Sequence, residues 1–230
     1  MKAGRWVIVW LVVVPSYNGL TAQVGYAPDS SPYHDIGRGV NMIVTGGYLG
    51  GSRGEVPVGP SDGPYAGLRF ERPLSRVMAI TIETGYAQTT RYIADPAKDS
   101  ASRYTGPVDE PLFMLDVGLM LRLTGAKAWH RFAPYVGFTG GVAIATSPPP
   151  DPSGYEFKAR GMFGPNLGLR WYLTSGLSLR IDTRLRFWQL KYPLEYQQLS
   201  PDGTRVMPLG ADLSDWTTHP SATIGLGWTF

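Results

Sequence analysis

Apolar residues recur at every second position through most of the chain after residue 39. The clearest case is Leu112–Thr124, where Leu115 and Leu119 share a wholly apolar face and Asp116 and Arg122 share the opposite one. A period of two residues is that of a β-strand with two unlike faces. The pattern predicts eight strands: Val40–Gly50, Pro64–Arg72, Arg76–Thr90, Leu112–Thr124, Arg131–Thr146, Glu156–Tyr172, Leu177–Trp188 and Trp216–Phe230. Within the third of these the alternation indicates one slip of register, near Val77 or Met78.

The connections between these strands alternate strictly between long and short. Long ones rich in Gly, Pro, Ser and Asp occupy Gly51–Gly63, Arg91–Glu110, Ser147–Tyr155 and Pro193–Ser214. Short ones occupy Pro73–Ser75, Gly125–His130 and Leu173–Gly176. Antiparallel strands joined in this way place every long loop at one end of the sheet and every tight turn at the other. We therefore predict one all-β domain, residues 39–230, that follows an irregular lead-in at residues 23–38.

The first residues have the order of a secretory signal peptide. Lys2 and Arg5 precede the apolar run Trp6–Val14, and a polar stretch that contains Leu20-Thr21-Ala22 follows. A transmembrane helix needs about 20 apolar residues, which is more than this run provides. We expect residues 1–22 to be the signal peptide, with cleavage after Ala22 and export of the rest.

An eight-stranded meander is expected to close into a barrel, since closure removes exposed edge strands. The apolar face can then line the cavity of a soluble, lipocalin-like ligand carrier, or it can meet lipid in a transmembrane β-barrel. Glycines on the polar face, such as Gly137 and Gly168, favour the second alternative because they would make room for arginines in a crowded interior. We predict an interior ion-pair network of Glu83, Asp116, Arg122, Arg170, Arg180, Asp182, Arg184 and Arg186, with Glu71 and Arg69 as further members. We expect the aromatic residues at the membrane interface to be Tyr86, Trp171, Phe187 and Trp228.

Composition excludes several classes of protein. The chain is 43% hydrophobic and 17% charged, with 21 Lys and Arg against 18 Asp and Glu, which is too polar for a helical membrane protein and too balanced for a nucleic-acid binder. There is no cysteine, and His34, His130 and His219 have no metal-ligand spacing, so no metal or cofactor is expected. About eight strands enclose an interior that side chains fill, so bulk porin activity is not expected.

From Val40 to Phe230 the chain resembles the small bacterial outer-membrane β-barrel proteins, the OmpX-like and OmpA-barrel-like group. The segment Ser221-Ala222-Thr223-Ile224-Gly225-Leu226-Gly227-Trp228-Thr229-Phe230 looks like the closing strand of that group. The resemblance implies a bacterial outer-membrane location, outer-membrane lipid around a monomer, and an address read by the barrel assembly machinery. The residues that match this address are Ile224, Leu226, Trp228 and Phe230.

The candidate catalytic residues are His219 and Ser221. Their spacing resembles the His-x-Ser motif of lipid A deacylases. Spacing of two puts both residues on one strand face, as a serine and its base require. However, no acidic residue follows Asp215, and strand parity turns both side chains inward. We therefore expect no catalysis, and lipid A modification is the alternative. The remaining role falls to the long loops, which would contact a surface glycan, lipid head groups or another protein, or would simply connect the strands.

Overall fold

The computed structural model describes residues 31–37 and 39–230, and nearly all of its regular structure is β-strand. The predicted signal peptide lies outside these residues. The strands are β1 (Tyr33–Asp35), β2 (Asn41–Leu49), β3 (Gly63–Pro73), β4 (Met78–Ala87), β5 (Thr90–Ala94), β6 (Tyr104–Asp109), β7 (Leu112–Arg122), β8 (Lys127–Trp129), β9 (Phe132–Ala145), β10 (Ala159–Tyr172), β11 (Leu177–Lys191) and β12 (Ser214–Thr229). A short 3-10 turn occupies Leu194–Gln197.

Eight of these strands close into an antiparallel barrel. Each of β2, β3, β4, β7, β9, β10, β11 and β12 pairs with the next in that order, and β12 returns to β2 with Thr229 opposite Asn41. Strands that are neighbours in the barrel therefore follow one another in the order of the barrel strands along the chain, and the exception is the closing pair of β12 and β2. The predicted eight-stranded, up-and-down, all-β fold is confirmed.

Three local features differ from the sequence-based expectation. In β4 the inward and outward positions alternate without a slip, since Ala79, Thr81 and Glu83 all lie inside. Part of the expected irregular lead-in forms β1, which pairs with β8 beside the β7–β9 turn. The expected loop Arg91–Glu110 contains a hairpin of β5 and β6, which pair only with each other. These added strands are at most six residues long, too short for a period of two to be recognised above chance.

In this barrel the apolar face of the wall points outward and the polar face points inward, the reverse of a soluble barrel. Leu115, Leu119, Ile181 and Leu226 point outward and are 38%, 50%, 51% and 37% exposed. The charged residues buried inside on the same strands are Asp116, Arg122, Arg180, Asp182, Arg184 and Arg186. The apolar face is therefore the outer surface of the barrel. This excludes the alternative of a soluble, lipocalin-like carrier, in which the apolar face would line the cavity.

Candidate functional site

Glu71 on β3 is the acceptor at the centre of one half of the interior. Its Oε1 accepts a hydrogen bond from Nη2 of Arg122 at 3.2 Å. Its Oε2 accepts from Nη2 of Arg170 at 2.7 Å and from Nη1 of Arg180 at 2.8 Å. The four side chains come from β3, β7, β10 and β11, so one carboxylate ties together distant parts of the barrel wall.

The other half of the interior contains three further carboxylates. Asp182 accepts from Nη1 of Arg69 at 2.7 Å, and Glu83 also accepts from Arg69. Arg184 donates to both Glu83, at 2.9 Å, and Asp116, at 3.0 Å. These contacts form a continuous chain of charges, because each arginine shares a carboxylate with the next.

All eight charged residues proposed for the interior lie there, and none is more than 6% exposed. Glu71 and Arg69, the two further members, are equally buried. Buried charges are stable only when paired and hydrogen-bonded, and these arrangements supply both. Positive charge is nevertheless in excess, since the network holds six arginines and four carboxylates: Arg69, Arg122, Arg170, Arg180, Arg184, Arg186, Glu71, Glu83, Asp116 and Asp182.

Two tyrosines join this network, and the sequence analysis did not identify them. The hydroxyl of Tyr65 donates to Glu83 at 2.6 Å, and that of Tyr135 donates to Asp182 at 2.5 Å. Each ring lies over a glycine of the adjacent strand, Gly85 and Gly168 respectively, where a Cβ atom would be 2.2 Å and 2.1 Å from the tyrosine oxygen. At both positions glycine makes room for tyrosine, whereas the sequence led us to expect that Gly168 would make room for arginine.

His219 and Ser221 both point into the barrel, but each is bound to a different neighbour. The His219 ring stacks on Trp188 with centroids 3.6 Å apart, and its Nε2 lies 2.8 Å from Oγ1 of Thr217. Oγ of Ser221 accepts from Nη1 of Arg186 at 2.8 Å. Within the described part of the chain no hydrogen bond joins His219 to Ser221 and no carboxylate binds the imidazole. His219 and Ser221 are therefore side chains packed in the interior near the end of the barrel that carries the long loops.

The long loops close over this end of the barrel and form an apolar core, which we call the loop cap. Its buried loop residues are Val56, Val58, Tyr155, Phe157, Tyr192, Tyr196 and Met207. They pack on strand-end residues such as Leu112, Met114 and Trp188. The loops are therefore ordered by hydrophobic burial, the ordinary driving force of a water-exposed fold.

Two arginines of the connection Arg91–Glu110 hold the long loops together from within. Arg91 is fully buried and donates to Glu110 at 3.2 Å and to Asp151 of the next long loop at 2.8 Å. Arg103 donates to Oγ of Ser200 and to the carbonyl oxygen of Arg205, both at 3.0 Å. Burial raises the pKa of Glu110 to about 7, although the neighbouring Arg91 opposes the shift.

The outer surface of the loops is acidic. In each of the four long connections, residues 50–62, 88–111, 146–158 and 192–213, acidic residues outnumber basic ones. The exposed acidic residues of this surface are Glu55, Asp62, Asp99, Asp109, Glu156, Glu195, Asp202 and Asp212. Lys98 and Lys158 are the exposed cations among the same described residues. We call this surface the acidic platform.

The residues proposed for assembly and for the membrane interface all lie on the outer face. Ile224, Trp228 and Phe230 are 60%, 37% and 76% exposed, and Leu226 lies between them on the same face. Trp171 and Trp228 lie near the short turns, whereas Tyr86 and Phe187 lie near the loop end. The outer surface therefore has aromatic side chains at both ends of its apolar belt.

Other kinds of site were sought in the same residues. In the part of the chain that the structure describes, no group of three or more His, Cys, Asp or Glu could hold a metal ion. No helix there is long and apolar enough to cross a bilayer.

Comparison with known proteins identifies the fold. No family model matches the chain, and no curated protein matches it. Among solved structures, neisserial surface protein A is similar with a TM-score of 0.54 and 10% identity, over 83% of this chain and 97% of that one. OprG of Pseudomonas aeruginosa (TM-score 0.48, 12% identity, 87% and 99% coverage) and Ail of Yersinia pestis (0.40, 11%, 84% and 99%) were also found. With its closed eight-stranded wall, this chain has the fold of the small outer-membrane β-barrel proteins.

Proposed function

We propose that the protein is an integral protein of the bacterial outer membrane that binds a basic partner through the acidic platform. The location is supported by the barrel fold and by the apolar outer belt, which would otherwise face water. The role is non-catalytic. The barrel assembly machinery would read the outward-facing alternation at Ile224, Leu226, Trp228 and Phe230.

The loop cap is the observation that carries the binding role. Ordering a surface before it binds removes part of the entropic cost of association. Here a buried core and the inter-loop bonds of Arg91 and Arg103 hold the loops in one arrangement. Passive connections between strands would need neither feature.

The negative charge of the acidic platform favours one class of partner over others. Complementary charge favours association, and like charge opposes it. A basic protein surface therefore fits the platform, whereas an anionic polysaccharide or a phosphorylated head group would be repelled.

The ion-pair network supports the absence of a bulk pore. An eight-stranded barrel has an interior that side chains fill, and here they are joined across the barrel by Glu71 and Glu83. Liposomes that contain the protein should not swell in solutions of small sugars. Rapid swelling would contradict this part of the proposal.

Binding can be tested on the protein reconstituted in lipid nanodiscs, with a polylysine peptide as the probe. We expect saturable binding that weakens as NaCl is raised, because exposed charges are screened by salt. The triple variant Glu55→Gln, Glu156→Gln, Glu195→Gln should bind more weakly.

The matched control is Lys98→Gln, Lys158→Gln, which removes charge of the opposite sign from the same surface and should strengthen binding. Equal binding by all three proteins would refute recognition by charge. Lipid A from cells that express the protein should have an unchanged mass, and a shift lost in Ser221→Ala would instead establish the enzymatic alternative.

A further inference from the structure

A groove opens in the outer wall of the barrel, across β9, β10, β11, β12 and β2. Its volume is about 620 Å³. The outward-facing residues that line it are Tyr48, Val136, Pro165, Leu167, Thr183, Leu185, Pro220 and Ala222. We call this depression the wall groove.

Leu185 lies at the middle of the wall groove between two prolines. Pro220 is directly opposite it on β12. On the other side, the β10–β11 ladder pairs Phe163 with Phe187 and Asn166 with Arg184, which places Pro165 opposite Leu185. The ladder has no pairing at Gly164 and Pro165, the only interruption of the β10–β11 register between Met162 and Tyr172.

The second proline lies one strand further on, beside the end of β2. The pairing of β12 with β2 extends from Thr229 to Ser221, which is opposite Leu49 at the end of β2. Just beyond it, the carbonyl oxygen of Pro220 accepts a hydrogen bond from the N–H of Gly50 at 2.7 Å. Proline has no N–H to give to a ladder and is normally confined to edge strands, strand ends or bulges. In a barrel surrounded by hydrocarbon each missing ladder bond is costly, because no water replaces it. Each of the two prolines leaves the wall one N–H donor short at this level, so the sheet departs locally from a regular ladder on both sides of Leu185.

The side chains at this level also leave space. Thr183 and Ala222 are opposite each other on β11 and β12, and both are small. Leu167 and Tyr48 border them on the neighbouring strands. The lining residues with inward-facing polar or charged side chains are Asn166, Arg184 and Ser221. Arg184 donates to Asp116, and Ser221 accepts from Arg186, so both are bonded inside the barrel. The surface that the groove presents outward is thus mostly apolar, and its two hydroxyl groups are bonded: that of Thr183 to the carbonyl oxygen of Leu167 and that of Tyr48 to Asp62.

We propose that the wall groove is a binding site for one hydrocarbon chain of a membrane lipid. The groove is continuous with the apolar outer surface and so opens directly to the acyl chains of a surrounding leaflet. The barrel interior behind it is occupied by paired charges, so the chain would be held in the wall and would not pass through it. This inference rests on the proposed membrane location.

The site can be tested with phosphatidylethanolamine that carries a photoactivatable diazirine in one acyl chain, added to nanodiscs that contain the whole protein. After illumination, the labelled peptides are mapped by mass spectrometry. We expect labelling of residues 183–185 and 220–222 above that of the opposite wall, for which Ile82 and Val117 on β4 and β7 are the reference. The variant Ala222→Phe should fill the groove and remove this enrichment.

Ala66→Phe is the matched control. Ala66 is also an outward-facing alanine, on β3, and it lies outside the groove. Its replacement should leave the enrichment at residues 183–185 unchanged. Thr183→Phe provides a second filling variant if Ala222→Phe does not fold.

The possible results test the proposed lipid site separately from the proposed membrane location. Even labelling around the whole belt of the unmodified protein would overturn the site and leave the location intact. Enrichment that survives both filling variants would also overturn it. Absence of labelling anywhere on the belt would refute the membrane location, and the site with it.

Discussion

Tyr135 on β9 lies across the backbone of Gly168, its direct partner on β10. A Cβ atom at residue 168 would be 2.1 Å from the tyrosine oxygen. The same oxygen donates to Asp182 and accepts from Nε of Arg180. A backbone position without a side chain therefore determines where part of the ion-pair network can form.

We accordingly expect Gly168→Ala to destabilise the barrel, because the ring must move and its bond to Asp182 is lost. Overpacking of this kind costs about 1–3 kcal/mol. The urea midpoint of the protein refolded in detergent micelles would measure it. Gly161→Ala on the same strand is the control, since a Cβ atom there meets nothing within 4 Å. Equal midpoints for the two variants would contradict the role of Tyr135.

Glu71→Gln should be more damaging, since it leaves Arg122, Arg170 and Arg180 without their shared counter-charge. Removing one partner of a buried ion pair costs about 3–5 kcal/mol. Glu156→Gln removes a carboxylate from an exposed pair with Lys158 and should cost about 0–1 kcal/mol. Urea midpoints again make the comparison. A Glu71→Gln protein as stable as Glu156→Gln would show that the interior charges are solvated.

Phe230→Ala should separate assembly from stability. The Phe230 side chain is 76% exposed, so little packing is lost and refolding into detergent should be unchanged. In cells, loss of the address would lower the amount of folded protein in the outer-membrane fraction. The conservative variant Phe230→Tyr should keep that amount near normal. Normal levels of Phe230→Ala would argue against recognition of this residue.

The loop cap should loosen as pH rises towards and above 7. In the folded protein the pKa of Glu110 is raised by burial to about 7, above its unfolded value, so folding favours the protonated carboxyl group. This contribution is complete below the unfolded pKa and is lost as pH rises through the folded one. Hydrogen exchange of the amides of residues 88–111 at pH 5 and pH 8, corrected for intrinsic rates, should show less protection at pH 8. In Glu110→Gln the difference should vanish, and persistence of the difference would rule out Glu110 as its source.

Which side chains point inward and which point outward could be predicted from the sequence, because this depends only on the alternation of side chains along a strand. Leu115 and Asp116 are adjacent, and they lie outside and inside the wall because strand side chains alternate. Which arginine meets which carboxylate depends on barrel register and on side-chain reach. For that reason the three donors to Glu71, and the part played by Tyr65 and Tyr135, could not be read from the pattern.

The loops were the least predictable part, because their contacts join residues that are distant in sequence and follow no period. Arg91 and Arg103 belong to a predicted connecting loop, yet they are buried against Asp151 and Ser200 of other loops. Fully buried arginine is rare unless it is paired, and the partners here come from separate loops. Only the positions of the loops and their richness in Gly, Pro, Ser and Asp could be predicted from the sequence.

The loop cap gives this molecule two cores that depend on different surroundings. The apolar core at the loop end is formed by exclusion of water, and its opening should have the positive heat-capacity change of a water-soluble domain. The midsection exposes its apolar residues outward, so its stability should follow the thickness and chemistry of the bilayer or micelle. Calorimetry in lipids of different chain length should therefore move one melting transition and leave the other in place.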